Sequence, residues 1–395
     1  MISRQVQTNI LSGISFTSRD PDEGCVYVSG KESALTIIDA EITLEGDGSG
    51  LGGKSSGAAV ENYGSLTIRD STIITTGACR SATAAEEHAK LWVYNSTLIA
   101  NGAPLVTGEK GKTYSMPPAA LEIEGNCRTH ITMSNSESYF YDCKVIANGW
   151  AALSTDSAKG YVYLEANDTL IKTIQSGYGV YADSFCHVTL NRCELENASM
   201  AAIVAGEADV TMQDCSAQCG TYFTLIHCIG MPEELSTVIL ENSSIQCAKP
   251  AFLIKSQNAE IEIRKSSIVS ESGILLKSIW NDDPNAAKTN GEAVYGIHMH
   301  LTDCDLTGDI LHEDPERDAH ILLTNTTLRG AMHNIHFSLD KNSAWYATGD
   351  SEVILEDLAQ AEQINAPAGV TVTVAAAEKG RYPLADGGML IVTPN

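Results

Sequence analysis

The chain has 395 residues, of which 43% are hydrophobic, and 25 Lys and Arg against 50 Asp and Glu leave a net charge of −25. That charge repels nucleic-acid phosphates and anionic membrane surfaces, and no Lys/Arg run offers a local exception, so neither nucleic acid nor membrane is an expected partner. There is no uninterrupted apolar run of about 18 residues and no basic segment leading into an apolar one, which predicts a soluble cytoplasmic chain without an export signal. Eleven cysteines, an odd number without paired CxxC spacing, agree with a reducing compartment.

Residues 1–30 read as an N-terminal cap and first coil, with Cys25-Val26-Tyr27-Val28 as a first short strand. Residues 31–330 are organised by one pattern, plainest at Leu66-Thr67-Ile68-Arg69-Asp70-Ser71-Thr72-Ile73. It runs apolar, polar, apolar, any, Asp or Asn, Ser/Thr/Cys, any, apolar. Copies begin at Leu35, Leu66, Leu91, Ile131, Leu164, Val188, Val210, Val238, Ile261, Met299 and Ile321. Period-two alternation predicts a strand whose apolar residues point inward, and the Asx-hydroxyl pair supplies the chemistry of a turn. The expected bends are Asp70, Asn95, Asn135, Asp168, Asp214, Asn242, Asp303 and Asn325. Cys193, Cys215 and Cys304 hold the place of Ser71, Ser96 and Thr326, as small buried side chains of a ladder.

A second strand recurs as Ala58-Ala59-Val60, Ala119-Ala120-Leu121, Ala151-Ala152-Leu153 and Ala201-Ala202-Ile203, then around Val180, Leu225, Leu253, Leu275 and Ile310. Two strands per coil without helical periodicity predict an all-β, single-stranded parallel β-helix, a solenoid with N- and C-terminal caps. The repeat resembles that of the right-handed parallel β-helices of the pectate-lyase-like superfamily, a likeness of pattern over about residues 26–330 that implies the right hand. Residues 331–395 read as C-terminal coils and cap. Their Trp345-Tyr346-Ala347-Thr348-Gly349-Asp350-Ser351 resembles the run that ends the repeat in bacterial surface β-helices.

Insertions at 46–57, 102–118, 227–237 and 279–296 flank the second strand and imply a loop-walled groove. Two residues beyond that strand's inward apolar position stand Asn62, Ile123, Thr155 and Ala182, then His227, Lys255, Lys277 and His312. Stacked basic groups favour an anion, which assigns substrate binding to Lys255 and Lys277 and proton transfer to His227 and His312. Asp156, Asp183 and Tyr181 supply the complementary acid or base. The bland alternative makes these solvated turn residues whose Lys stems cover Phe252, Ile254, Ile274 and Leu276. That apolar group is open to reading as a ligand floor, a loop-covered core or a contact of a homo-oligomer.

On the first strand's outer face, His130, His187, His298 and His320 precede inward apolar residues, and Glu260, His298, His300 and His320 are candidate ligands for a divalent metal. No other cofactor is expected. His333 and His336 lie beyond the repeat. Together these residues predict an enzyme acting on a carbohydrate or related small molecule by acid–base lyase, isomerase or hydrolase chemistry. The rival is a non-catalytic adhesin-like scaffold that binds a glycan or protein through the outer column Thr36, Thr67, Thr132, Thr189 and Thr211.

Overall fold

The computed structural model describes residues 9–104, 117–157, 160–229, 231–281, 288–289, 291, 294–375 and 379–393. The chain divides into two compact units, Met1–Ala202 and Ile203–Asn395, and each is an all-β solenoid of short parallel strands. No helix among the described residues is long and apolar enough to cross a membrane.

Each coil carries three strands rather than the two expected. In the first unit one coil runs through Ala58–Glu61, Ser65–Arg69 and Thr72–Thr76. None of these pairs with its neighbour in the chain. Each pairs in parallel with its equivalent one coil on: Thr83–Ala85, Lys90–Tyr94 and Thr97–Ala100 respectively. The third strand was hidden because its first residues, Thr72 and Ile73, form the tail of the repeated pattern. Leu66, Ile68 and Ile73 are fully buried while Thr67 and Arg69 face outward, so every coil buries its apolar rows against the coils beside it.

The corner after the first strand explains the Asx-hydroxyl pair. Asp39, Asp70, Asn95, Asp142, Asp168 and Arg192 in the first unit hold φ between +43° and +54°, as do Asp214, Asn242, Lys265, Asp303 and Asn325 in the second, at +46° to +55°. Asp and Asn tolerate this left-handed region better than other side-chain-bearing residues. The following hydroxyl or thiol turns back onto the carbonyl two residues earlier, as Ser96 Oγ donates to Tyr94 O at 2.7 Å and Cys215 Sγ to Gln213 O at 3.2 Å. It also accepts from the preceding coil's backbone, Ser71 N to Ser96 Oγ at 3.1 Å and Cys304 N to Thr326 Oγ1 at 3.1 Å. All eleven cysteines are free thiols and nine are buried, the role expected of Cys193, Cys215 and Cys304.

One repeat was misplaced. Leu91 pairs with Ser138, not with a strand starting at Ile131, so the fourth copy of the first strand is Glu137–Tyr141 and its corner is Asp142. Ile131 belongs to Arg128–Met133, which pairs with Thr83–Ala85 and Ala151–Asp156 in the second-strand ladder. Ala119–Leu121, expected as that strand, is a short 3-10 turn. His130 therefore lies not on an outer face but fully buried, with Nδ1 2.8 Å from Thr83 Oγ1 and Nε2 2.7 Å from Thr132 Oγ1. Thr132 gives its own proton to Ser138 Oγ at 2.7 Å, so Nε2 carries the imidazole proton and Thr83 donates to Nδ1. Burial pushes this imidazole down to about 3.

Near the start of the first unit Arg80 is fully buried, and its guanidinium donates to the carbonyls of Asp20 and Glu23 at 2.7 Å, Glu45 at 3.1 Å and Gly46 at 3.3 Å. One side chain thereby ties together two loops. In the second unit, strands beyond residue 330 stay in parallel register: Met332–Leu339, Ser351–Leu355, Thr371–Ala375 and Met389–Thr393. Gly380–Pro383 then folds back antiparallel on the last of these.

Candidate functional site

The predicted basic column breaks in the second unit. His227 and Lys255 are register partners, but Ile279 stands opposite Lys255 while Lys277 falls beside Leu253, and a bulge near Ile274 against the following strand sets Lys277 beside Leu311. His312 pairs instead with Ser278. His227 and Lys255 are 2% and 5% exposed, whereas Lys277 is partly exposed and forms an ion pair with Glu313 at 3.1 Å. Lys255 and Lys277 thus do not present one anion anchor. Phe252, Ile254 and Leu276 are fully buried and are covered core, while Ile274 is partly exposed.

The two histidines have defined neighbours. Asn281 Nδ2 donates to His227 Nδ1 at 3.0 Å. His312 Nε2 donates to Arg317 O at 2.6 Å, which leaves Nδ1 as the acceptor for Ser278 Oγ at 2.9 Å. Arg317 in turn forms an ion pair with Asp314 at 3.2 Å, both side chains fully enclosed. His312 is therefore an anchor of the 313–318 turn.

The acidic and phenolic candidates do come together, in the first unit. Ala151–Asp156 lies beside Tyr178–Ala182 with Ser154 opposite Tyr181, and Asp183 follows directly. Thr155 Oγ1 fixes the pair of strands at this end, donating to Tyr181 O at 2.7 Å and accepting from Asp183 N at 3.3 Å. The Tyr181 hydroxyl lies 3.4 Å from Asp183 Oδ1, and Ser157 N lies 3.5 Å from Oδ2. Burial first, and then the charge of Asp156, hold the Asp183 carboxyl above the usual carboxylate range. Burial and the charge of Asp183 push the Tyr181 phenol well above its ordinary value, so it acts as a proton donor and not as a base.

Arg128, opposite Ala151 at the far end of this strand from Asp156, acts on the tyrosines of this group and was missed. Its strand was assigned to the wrong ladder, so the residue was never compared with Tyr178, two places along the same row. The guanidinium packs 4.6 Å from the Trp150 ring, and its charge acts on both Tyr178 and Tyr181. Tyr178 is buried, with its hydroxyl 2.6 Å from Ser154 Oγ. Arg128 Nε is buried with no hydrogen-bond partner among the described residues. An orphan N–H of this kind is costly unless something binds it.

A cleft of about 520 Å³ opens at the other end of these strands, about one strand length from Asp156. Amides line it, among them Asn101, Asn126, Asn148 and Gln175, with Glu124 as its carboxylate. The insertion at 46–57 does cover the second-strand ladder: a Cβ placed on Gly52 would meet Glu86 Oε1 at 2.0 Å and Met133 Cε at 3.3 Å. Most of the 102–118 insertion lies outside the described residues.

The imidazole cluster forms with altered membership. Glu260 is opposite His298, His298 opposite His320, and His320 opposite His336, so His336 lies inside the repeat and not beyond it. The rings of His298 and His320 stack at 4.7 Å and 6°, and those of His320 and His336 at 4.5 Å and 22°. Burial, then the neighbouring imidazoles of His336 and His298, lower the pKa of His320. His300 is in the adjacent row, next to Glu262, with Nε2 3.0 Å from Thr324 Oγ1. Glu260 accepts from the Tyr295 hydroxyl.

The outer threonine row is interrupted. Thr36 and Thr67 are partners, but Trp92, Tyr139 and Glu165 follow before Thr189, and Thr132 is in another ladder. Trp92 and Tyr139 stack at 5.8 Å, and Tyr94 and Tyr141 at 5.0 Å. No family model matches this chain, and no curated protein matches it.

Proposed function

We propose that the chain is a carbohydrate-active enzyme that hydrolyses a neutral glycan at Asp156, Asp183 and Tyr181. The observation that carries this reading is a pair of neighbouring carboxyl groups at the ends of adjacent strands, in which Asp183 is raised first by burial and then by the charge of Asp156. Glycoside hydrolysis uses such a pair, one carboxylic acid to protonate the leaving oxygen and one carboxylate to meet the positive charge that develops on the sugar or to activate water. Asp183 is the acid in this scheme and Asp156 the carboxylate. Tyr181 donates to Asp183 once that group has given up its proton, and the unpaired Arg128 N–H donates to a sugar hydroxyl oxygen.

Lyase chemistry on a uronate polymer is less well supported, because a protein of charge −25 repels a polyanion and Lys255 and Lys277 offer no joint anchor. The resemblance of the repeat to pectate-lyase-like solenoids supports a saccharide in general. The test is release of reducing ends from a panel of neutral oligosaccharides by wild type, D156N and D183N. Turnover that falls by about 100- to 10,000-fold in each variant is expected. Absence of turnover on every substrate, or equal rates in the three proteins, contradicts the reading.

A second reading, a non-catalytic glycan-binding solenoid, is favoured by the amide-lined cleft alone. Asn101, Asn148 and Gln175 match sugar hydroxyls without an acid–base pair beside them. In that case N148A and Q175A weaken glycan binding while D156N and D183N leave it unchanged.

A further inference from the structure

Among the described residues, a group of metal-binding side chains outside the carboxylate site lies in the second unit. Asp318, His320 and His336 each offer a ligand atom, and these atoms lie within 4.8 Å of one another. We propose that Asp318, His320 and His336 bind a borderline divalent transition-metal ion of the zinc class, with His298 as the adjoining imidazole.

The parallel ladder creates the arrangement. His320 and His336 are register partners in consecutive strands, so their rings stack and their nitrogens are presented side by side at 4.5 Å between centroids. Both rings are partly exposed, as a ligand needs. Asp318 comes from a turn held in place by the enclosed Asp314–Arg317 pair and by His312 Nε2 on Arg317 O. The strand of the preceding coil closes on the same turn, with Ile297 N donating to Asp318 O at 2.9 Å. Gly296, at φ +84°, has no room for a side chain, because a Cβ there would lie 2.5 Å from that oxygen. The carboxylate is thus delivered beside the imidazoles by a rigid support, while its own side chain is exposed and free to turn.

Space and outer partners are also present. A cavity of about 240 Å³ lies over the imidazole row, with Glu260 and Glu356 in its wall, and a second of about 460 Å³ on the far side of His336 includes Asp318. An ion held here keeps open positions for water or a small ligand. His298 donates from Nε2 to Tyr295 O at 3.2 Å, the type of outer hydrogen bond that orients a ligating imidazole and leaves Nδ1 as the electron-pair donor. Two imidazoles and a carboxylate suit zinc, cobalt(II) or nickel(II) and not calcium or magnesium, which prefer all-oxygen sets. Zinc–nitrogen bonds of about 2.0–2.1 Å require the three groups to draw together by side-chain rotation, with no change in the ladder.

The test uses untagged full-length chain stripped with a chelator and titrated with zinc by calorimetry and with cobalt(II) by visible absorption. One saturable equivalent is expected, with affinity reduced in His320→Asn and in His336→Asn by more than the roughly 10- to 100-fold that loss of an outer partner costs. His300→Asn, in the adjoining row, is expected to bind as wild type does. Cobalt(II) bound to wild type is expected to show the intense visible bands of a four- or five-coordinate ion, which does not depend on any variant folding. No saturable zinc binding, unchanged affinity in the His320→Asn/His336→Asn double variant, or a cobalt spectrum no different from the aqueous ion overturns the proposal.

Discussion

Asp183 follows a strand whose partner ends in Asp156, and the Asp183 carboxyl is raised by burial and then by the charge of Asp156. Removing that charge removes one of the two principal causes. In D156N the Asp183 carboxyl is predicted to titrate at lower pH than in wild type, as followed by carbon NMR of labelled aspartate side chains. An unmoved titration would show that the two groups do not interact.

Tyr181 keeps its proton far above neutral pH, so its contribution is a donated hydrogen bond and not a proton accepted. Y181F is predicted to lower kcat with little change in KM, and to lower the Asp183 carboxylate's preference for the charged form, since the hydroxyl favours that form. A Y181F rate equal to that of wild type removes the phenol from the scheme.

His130 gives a pH dependence of stability that belongs to the fold. Its folded pKa of about 3 lies below the ordinary histidine value, so the unfolded chain binds the extra proton between those pH values. Stability from this group is complete above about pH 6.5 and is lost as pH falls toward 3. Between pH 7 and pH 4.5 the loss is about 2–3 kcal/mol. Urea unfolding of wild type and H130N at the two pH values should show a smaller pH effect in the variant; equal effects contradict the assignment.

Arg80 donates to four backbone carbonyls from a fully buried position. R80L leaves those acceptors without their charged donor and is predicted to cost on the order of 3 kcal/mol, read as a lower urea midpoint. Its effect is structural, so glycan turnover at a temperature where the variant is folded stays unchanged.

The corner ladder predicts an asymmetry among conservative changes. Ser96→Ala strips an acceptor from Ser71 N and a donor from Tyr94 O, at a cost of about 1–3 kcal/mol. Cys193→Ser keeps the donation to Asn191 O and is predicted to be nearly neutral. Thermal unfolding of the two variants checks both statements.

The solenoid was readable because its strands are short, alternate with period two and turn at Asx residues that tolerate a left-handed corner. What escaped the reading has physical causes. Arg192 and Lys265 occupy the same corner as Asp70 without being Asx residues, so composition does not mark them. Ile131-Thr132-Met133-Ser134-Asn135-Ser136 satisfies the pattern by coincidence and displaced one coil, which hid Arg128 and put His130 on the wrong face. The bulge near Ile274 displaces Lys277 from His312, and Leu253 pairs with Lys277, two places beyond the Leu275 with which a one-dimensional alignment matches it. The row of Glu260, His298 and His320 was placed correctly.

The most direct measurement of the central claim is a crystal structure of D183N grown with a neutral oligosaccharide. A glycosidic oxygen within about 2.6–3.2 Å of the residue-183 side chain, with the Arg128 guanidinium on a sugar hydroxyl, is the predicted result. Saccharide bound only in the amide-lined cleft or along the Trp92 and Tyr139 face, with Asp156 and residue 183 untouched, would contradict it.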